Sequence, residues 1–140
     1  MSAHQKIMNR FYVLVGSNIN PHENIQKGID FLNQSDLIEL EALSSEFSSK
    51  PVGMKGSDFI NMALRCSTDL VFSDTIRILK EIESLCGRVR DPENKFTPRT
   101  LDLDIISWNK YDGIIDGYKL PDPDIEKYDY IRIPLSEVMI

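Results

Sequence analysis

Two aspartates stand two residues apart in TLDLDII, a segment that otherwise has the composition of a β-strand. Because side chains alternate between the two faces of a strand, Asp102 and Asp104 share one face and the apolar residues share the other. Two carboxylates at about 7 Å repel each other unless water or a cation lies between them. Such a pair suits Mg²⁺, which takes few protein ligands and keeps waters or phosphate oxygens. The pair therefore predicts a divalent-cation site, with a solvated strand face as the alternative.

A cationic segment precedes the aspartates. The polar stretch RVRDPENKFTPR contains two prolines, which predicts a mobile loop, and its cations outnumber its two acids. A metal-bound polyphosphate needs cations against its oxygens and acids on the metal. The alternative is a solvated loop whose cations pair with local acids. The four cations are Arg88, Arg90, Lys95 and Arg99.

An aromatic ring and an amide are placed to face the same way. Phe59 and Asn61 lie two residues apart in DFIN, so a strand would turn both side chains to one side. A flat heterocycle can stack on the ring while the amide reads its donor and acceptor edge. The alternative is a core phenylalanine beside an asparagine at a strand end.

The elements that must position these residues follow the order β-α-β-β-α-β. A strand at RFYVLV leads through Gly16 into a helix with Asn20 as N-cap, and strands are predicted in LIELEALSSEFSSKPVG and DFINMALRC. A second helix begins after the N-cap Ser73 and ends at Gly87. The aspartate strand comes next. This order predicts an α+β, ferredoxin-like βαββαβ sandwich, with both helices on one face of an antiparallel sheet and the aspartates on the other.

Glu83 borders the apolar stripe of the second helix, near Leu79. Its carboxylate could accept hydrogen bonds from a ribose or from an arginine of the site. The alternative is an ordinary glutamate on the helix surface. After the aspartate strand, the mixed tail over residues 110–140 predicts a hairpin and one more short strand.

Composition limits the classes of function. The chain has 140 residues, a usual size for one domain, and we expect a single domain over 1–140 with residues 1–10 as a flexible leader. A net charge of −6 argues against general nucleic-acid binding. No apolar run approaches the roughly 20 residues of a membrane span. Cys66 and Cys86 lack metal-binding spacing, which favours a reduced pair in a cytoplasmic protein.

Four segments together resemble one enzyme family. VLVGSN, KPVG…DFIN, LKEIESLCGRVR and PRTLDLDII follow in the same order as in 6-hydroxymethyl-7,8-dihydropterin pyrophosphokinase, over about residues 11–135. The segment GRVR…PRTLDLDI is the most specific of them. The resemblance implies an enzyme of folate biosynthesis that moves the pyrophosphoryl group of ATP to the hydroxymethyl oxygen of the pterin and releases AMP. It implies small-molecule substrates, with no nucleic acid or membrane partner.

The resemblance also implies roles for single residues. Asp102 and Asp104 would bind two Mg²⁺ ions that bridge the ATP phosphates. Arg88 and Arg99 would contact phosphates and act in catalysis, Arg90 and Lys95 would be looser ATP contacts, and Glu83 would lie in the ATP site. On the pterin side the implied residues are Phe59, which would stack on the ring, Asn61, which would bind its edge, Tyr130 as the second aromatic, and Pro51 and Gly53 of KPVG.

The tail departs from the family pattern. Asp122 stands where a histidine is usual, Tyr128 where an arginine is usual, and Phe96 where a tryptophan is usual. The chain also stops at Ile140, short of the usual C-terminal extension. Two alternatives therefore accompany the resemblance. One is a diverged member that binds a pterin-like ligand with weak or no transfer, and the other is a ferredoxin-like interaction module without activity.

Overall fold

The structure is a computed structural model that describes residues 7–50, 57–87 and 100–140. Seven elements build the main body in the order β-α-β-β-β-α-β, and a smaller hairpin and a third helix follow. None of the helices in the described ranges contains an apolar stretch of the length that a membrane span requires. The elements are β1 (Asn9–Ser17), α1 (Pro21–Gln34), β2 (Glu39–Leu43), β3 (Phe47–Ser49), β4 (Phe59–Thr68), α2 (Phe72–Leu85), β5 (Asp102–Trp108), β6 (Gly113–Ile115), β7 (Tyr118–Leu120) and α3 (Asp129–Val138).

The main sheet is antiparallel, with strand order β2-β4-β1-β5. This arrangement confirms the predicted ferredoxin-like fold, with β1 at the centre and β5, the aspartate strand, at one edge. The long second strand of the prediction is in fact two strands, because β2 and β3 pair with successive parts of β4. The chain enters β1 at Asn9, opposite Thr68, so the leader predicted to run to residue 10 extends too far.

The main core lies between the sheet and the helices α1 and α2. Leu101, just before β5, and the inward-facing apolar residues of the strand are almost completely buried there, with Leu101 at 0%, Leu103 at 5% and Ile105 at 2% exposure. Helix α1 approaches this strand closely at Gly28, where a Cβ atom would lie only 2.7 Å from Leu101 Cδ2. Burial of one face of β5 turns the alternate residues, including both aspartates, toward the opposite face, as predicted.

Helix α2 differs from its prediction at its start. It begins at Phe72 after Val71, so the predicted N-cap Ser73 lies in the first turn instead. The Phe72 ring packs edge-on against Trp108 at 5.2 Å and Tyr118 at 5.5 Å, which fixes the start of the helix in the core. At the other end the helix stops at Leu85, and Gly87 follows with a φ of 83°, in agreement with its predicted role as the end signal.

The tail corrects one prediction. Strands β6 and β7 form the expected hairpin, but residues 129–138 form helix α3 where a short strand was predicted. Ile131, Leu135 and Val138 recur at helical spacing and are buried on the face of the sheet opposite α1 and α2. This burial outweighs the cost of Pro134 inside the helix.

Strand β5 contains one extra residue relative to β1. Tyr12 pairs with Ser107 and Val13 pairs with Ile105, so Ile106 has no partner of its own. The side chain of Ile106 packs with the α3 cluster, whereas Ile105 belongs to the main core. The carbonyl of Ile106 accepts a hydrogen bond from the N–H of Asp122 at 2.9 Å, which attaches the tail to this strand.

Candidate active site

Three residues form a row across the face of the sheet that carries α3. Gly16 of the central strand pairs with Asn61 on one side and with Asp102 on the other. Directly paired residues of antiparallel strands turn their side chains to the same face. Two strand spacings of about 4.8 Å separate Asn61 from Asp102. Since Gly16 has no side chain, the row leaves an open floor between an amide and a carboxylate.

The aspartate pair lies on this face. Asp102 is half-buried and Asp104 is exposed. In the next row across the sheet Asp104 pairs with Leu14, which pairs in turn with Ala63. Leu14 and Ala63 belong to the apolar cluster under α3, so the second aspartate stands at the border of that cluster. The aspartate pair therefore lies next to the apolar side chains that pack under α3.

Phe59 and Asn61 come together with Gly16, as their predicted common face requires. A Cβ atom on Gly16 would lie 3.5 Å from Asn61 Oδ1 and 3.7 Å from Phe59 Cδ1. A side chain at this position would therefore occupy the space that both groups face. Sequence reasoning assigned Gly16 only to a turn, although a glycine next to a strand pattern is a signal for close approach of a ligand or another backbone.

Glu83 is almost completely buried, with 2% exposure, so the surface-glutamate alternative is wrong. Its Oε2 atom accepts a hydrogen bond of 2.8 Å from the backbone N–H of Leu103, the residue between the two aspartates. A cavity of about 120 Å³ adjoins this contact, at the edge of the sheet. Residues from α2, β5 and β7 line it: Ile76, Lys80, Glu83, Leu103, Asp104, Ile105 and Tyr118.

Tyr130 lies in the first turn of α3, with its ring stacked on Tyr128 at 5.1 Å. Burial, together with the nearby Asp124, Tyr128, Asp122 and Asp104, raises the pKa of Tyr130 to about 12. The phenol therefore stays protonated at neutral pH and can donate a hydrogen bond. Because the charge of Asp104 contributes to this higher pKa, Tyr130 lies near the aspartate pair.

Asp122, where the family pattern has histidine, is held in a turn before α3. Its Oδ1 atom accepts a hydrogen bond of 2.9 Å from the N–H of Asp124. Burial raises the pKa of Asp122, although that hydrogen bond acts against the change. The side chain thus caps the short 3₁₀ turn over Pro123–Ile125. The structure gives this departure from the pattern a local structural role.

Six of the predicted site residues are not among those that the structure describes. Arg88, Arg90, Lys95 and Arg99, and also Pro51 and Gly53, lie outside the described residues. In the part of the chain that the structure does describe, no group of three acidic, histidine or cysteine side chains comes together as a metal site. A pair of carboxylates is nevertheless a sufficient protein contribution for Mg²⁺, which keeps waters or substrate oxygens as its other ligands.

Comparisons with known proteins identify the family of this chain. The family model described as 7,8-dihydro-6-hydroxymethylpterin-pyrophosphokinase matches residues 12–140. The chain is 30% identical to the 2-amino-4-hydroxy-6-hydroxymethyldihydropteridine pyrophosphokinase of Bacillus subtilis over 93% of its own length and 78% of the relative's. It is 31% identical to the protein of the same name from Pseudomonas aeruginosa, over 94% and 82% of the two lengths. The chain therefore belongs to the 7,8-dihydro-6-hydroxymethylpterin pyrophosphokinase family, whose members transfer pyrophosphate from ATP to hydroxymethyldihydropterin in folate synthesis.

Proposed function

We propose that this chain performs the family reaction in the cytoplasm as a Mg²⁺-dependent enzyme, with Asp102 and Asp104 as the metal ligands. The observation that carries the proposal is the row of Asn61, Gly16 and Asp102 across one face of the sheet. It sets an open floor for a flat ring next to a carboxylate pair. Carboxylate oxygens are the ligands that Mg²⁺ prefers.

The pterin would lie over Gly16. Phe59 offers its ring beside that floor, and Asn61 offers its amide oxygen. Tyr130, protonated at neutral pH, would contact the pterin ring from the side of α3. Pro51 and Gly53, which follow β3 closely in the sequence, would complete the substrate contacts. This arrangement would point the hydroxymethyl group of the ring toward the aspartates.

The ATP phosphates would lie against Asp102 and Asp104. Two bound Mg²⁺ ions would neutralise the phosphate charge as the pyrophosphoryl group moves. Arg88 and Arg99 would contact the phosphates, and Arg90 and Lys95 would add looser contacts. Glu83 would stabilise this site, because its carboxylate accepts a hydrogen bond from the backbone N–H of Leu103, which lies between the two aspartates.

The transfer itself is a displacement at the β-phosphorus of ATP. The hydroxymethyl oxygen forms a bond to that phosphorus and gives up its proton, the bond from the β-phosphorus to the oxygen that bridges it to the α-phosphorus breaks, and AMP leaves with that oxygen. Little covalent chemistry falls to the protein, so positioning of the two substrates and stabilisation of charge dominate. Enclosure of the substrates would keep water from competing as acceptor.

The test is AMP production from Mg²⁺-ATP and 6-hydroxymethyl-7,8-dihydropterin. We expect AMP and the pterin diphosphate in equal amounts, with no product when Mg²⁺ is removed by EDTA and recovery when it is restored. Titration calorimetry with the pterin and with a non-hydrolysable ATP analogue separates the alternatives. Pterin binding without nucleotide binding would identify a diverged, inactive member. If neither ligand binds, the result would favour the alternative of an interaction module without activity.

A further inference from the structure

The orientation of the Asn61 amide is set by strand β3. Its Nδ2 atom lies 3.1 Å from the carbonyl oxygen of Phe47. A carbonyl only accepts hydrogen bonds, so the NH₂ group and not the oxygen of the amide must face β3. The reverse orientation would bring two acceptors together in a side chain that is only 3% exposed.

Ser49 takes up the second hydrogen of the same NH₂ group. Its Oγ atom lies 2.7 Å from Asn61 Nδ2. The amide carries two donors, and β3 now accepts from both. The remaining polar atom, Oδ1, is directed away from β3 and toward Gly16, where a Cβ atom would lie 3.5 Å from it. Asn61 therefore presents an acceptor to the floor of the site.

We propose that Ser49 is a positioning residue, which fixes Asn61 so that its oxygen accepts a hydrogen bond from a ring N–H or amino group of the substrate. This inference rests on the proposed function, since it assumes that the heterocycle lies over Gly16. It adds a specificity rule. The edge of the ring that faces Asn61 must carry a donor, and a ring with only acceptors on that edge is rejected because two acceptors would meet.

Of the two partners on β3, only Ser49 acts through a side chain. The Phe47 contact is made by the backbone and stays in any variant. Ser49 is also the direct cross-strand partner of Phe59, so it lies beside both residues that face the floor. Loss of its hydroxyl would leave one amide hydrogen unsatisfied in a buried place, and the amide would tilt to recover a partner.

The test measures binding of 6-hydroxymethyl-7,8-dihydropterin and of an ATP analogue to three variants of the full chain. We expect Ser49→Ala to raise the pterin Kd about tenfold, the effect of one hydrogen bond, with the nucleotide Kd unchanged. Ser49→Thr keeps the hydroxyl and should stay within about twofold of the unmodified chain, well below the tenfold step of a lost bond. Ser48→Ala is the matched control, because Ser48 is exposed on the same strand.

A double-variant cycle shows whether Ser49 acts through Asn61. In an Asn61→Ala background, Ser49→Ala should cause no further loss of pterin affinity. An equal additional loss there, or an unchanged Kd in Ser49→Ala alone, would overturn the inference. If Ser49→Ala unfolds at a much lower temperature than the unmodified chain, Ser49→Cys takes its place in the test. The thiol is similar in size to the hydroxyl but is only a weak acceptor, so the pterin Kd should again rise. Failure of the unmodified chain to bind pterin would instead contradict the proposed function itself.

Discussion

Asp104 offers the most direct test among single residues, because it is exposed and its loss should not disturb the core. We expect Asp104→Asn to lower kcat by about a hundredfold or more, since a metal ion supplies several kcal/mol of charge stabilisation. The melting temperature should stay nearly constant. Asp116→Asn, in the exposed turn of the β6–β7 hairpin, is the control. Full activity combined with a large loss of stability would remove Asp104 from the metal site.

Phe59 is tested by the affinity for pterin. Removal of the ring in Phe59→Ala should weaken pterin binding by about 1–3 kcal/mol, by analogy with stacking of bases on aromatic side chains. Calorimetric titration of pterin and nucleotide in parallel measures the effect, and the nucleotide should bind as before. Unaltered pterin affinity would place the heterocycle elsewhere.

Two substitutions of Glu83 distinguish the effect of its charge from the effect of its hydrogen-bond acceptor. Glu83→Ala leaves the Leu103 N–H without its acceptor, which costs about 1–3 kcal/mol in a buried place. Glu83→Gln keeps an oxygen acceptor, so its unfolding free energy and its Mg²⁺ affinity should be closer to those of the unmodified chain. Urea unfolding and magnesium titration measure the two quantities. Identical losses in both variants would mean that the charge, and not the acceptor, matters.

Residues that share a strand were predictable, and residues that meet across strands were not. The common face of Asp102 and Asp104, and of Phe59 and Asn61, follows from alternation within one segment. The place of Gly16 between Asn61 and Asp102 depends on the register of three strands, which a single sequence does not specify. For the same reason the contact of Ser49 with Asn61 could not be foreseen.

Among the elements, α3 connects stability with the site. Leu135 is 3% exposed in the cluster under this helix, so Leu135→Ala should cost about 2–5 kcal/mol of unfolding free energy. Because Tyr130 belongs to the same helix, we also expect weaker pterin binding. Denaturant unfolding and pterin titration check both effects. Ile133→Ala, at a site 39% exposed on α3, should change neither.

This helix was also the element that sequence reasoning missed. Its apolar residues recur at helical spacing, but the mixed composition of residues 110–140 was interpreted as a hairpin and one short strand. Only the exposed face of the finished sheet supplies the burial that makes the helix favourable. The order of the earlier elements needed no such partner, because each has its own periodicity and end signals. That order alone predicted the ferredoxin-like sandwich.

At the scale of the whole molecule, one carboxylate joins several elements. Glu41 of β2 accepts hydrogen bonds of 3.1 Å from Arg10 of β1 and from Arg65 of β4. Arg65 also donates to the carbonyl oxygen of Val138 at the end of α3, at 2.8 Å. Burial by itself would raise the pKa of Glu41, but the two arginines together lower it below 4.5.

Acid should therefore weaken the fold through Glu41. A depressed pKa in the folded state contributes stability above the unfolded value, and this contribution is lost as the pH falls through the folded value. We expect Glu41→Gln to be less stable than the unmodified chain at pH 7 by about 1–3 kcal/mol. The difference should shrink below pH 4.5, the ordinary value for this carboxyl. Urea unfolding between pH 3 and 7 measures it, and a constant difference would contradict the assignment.

The unpaired Ile106 has a consequence for how the tail could be detached. Shortening β5 by that one residue would leave Ile105 and Ser107 opposite Val13 and Tyr12 in uninterrupted pairing. The aspartates and Trp108 would keep their present sides, while the docking carbonyl and an apolar side chain beneath α3 would disappear. The extra residue thus serves the attachment of the C-terminal segment and not the orientation of the acids. A deletion of this kind would yield a protein with an intact aspartate pair and a more loosely attached helix α3.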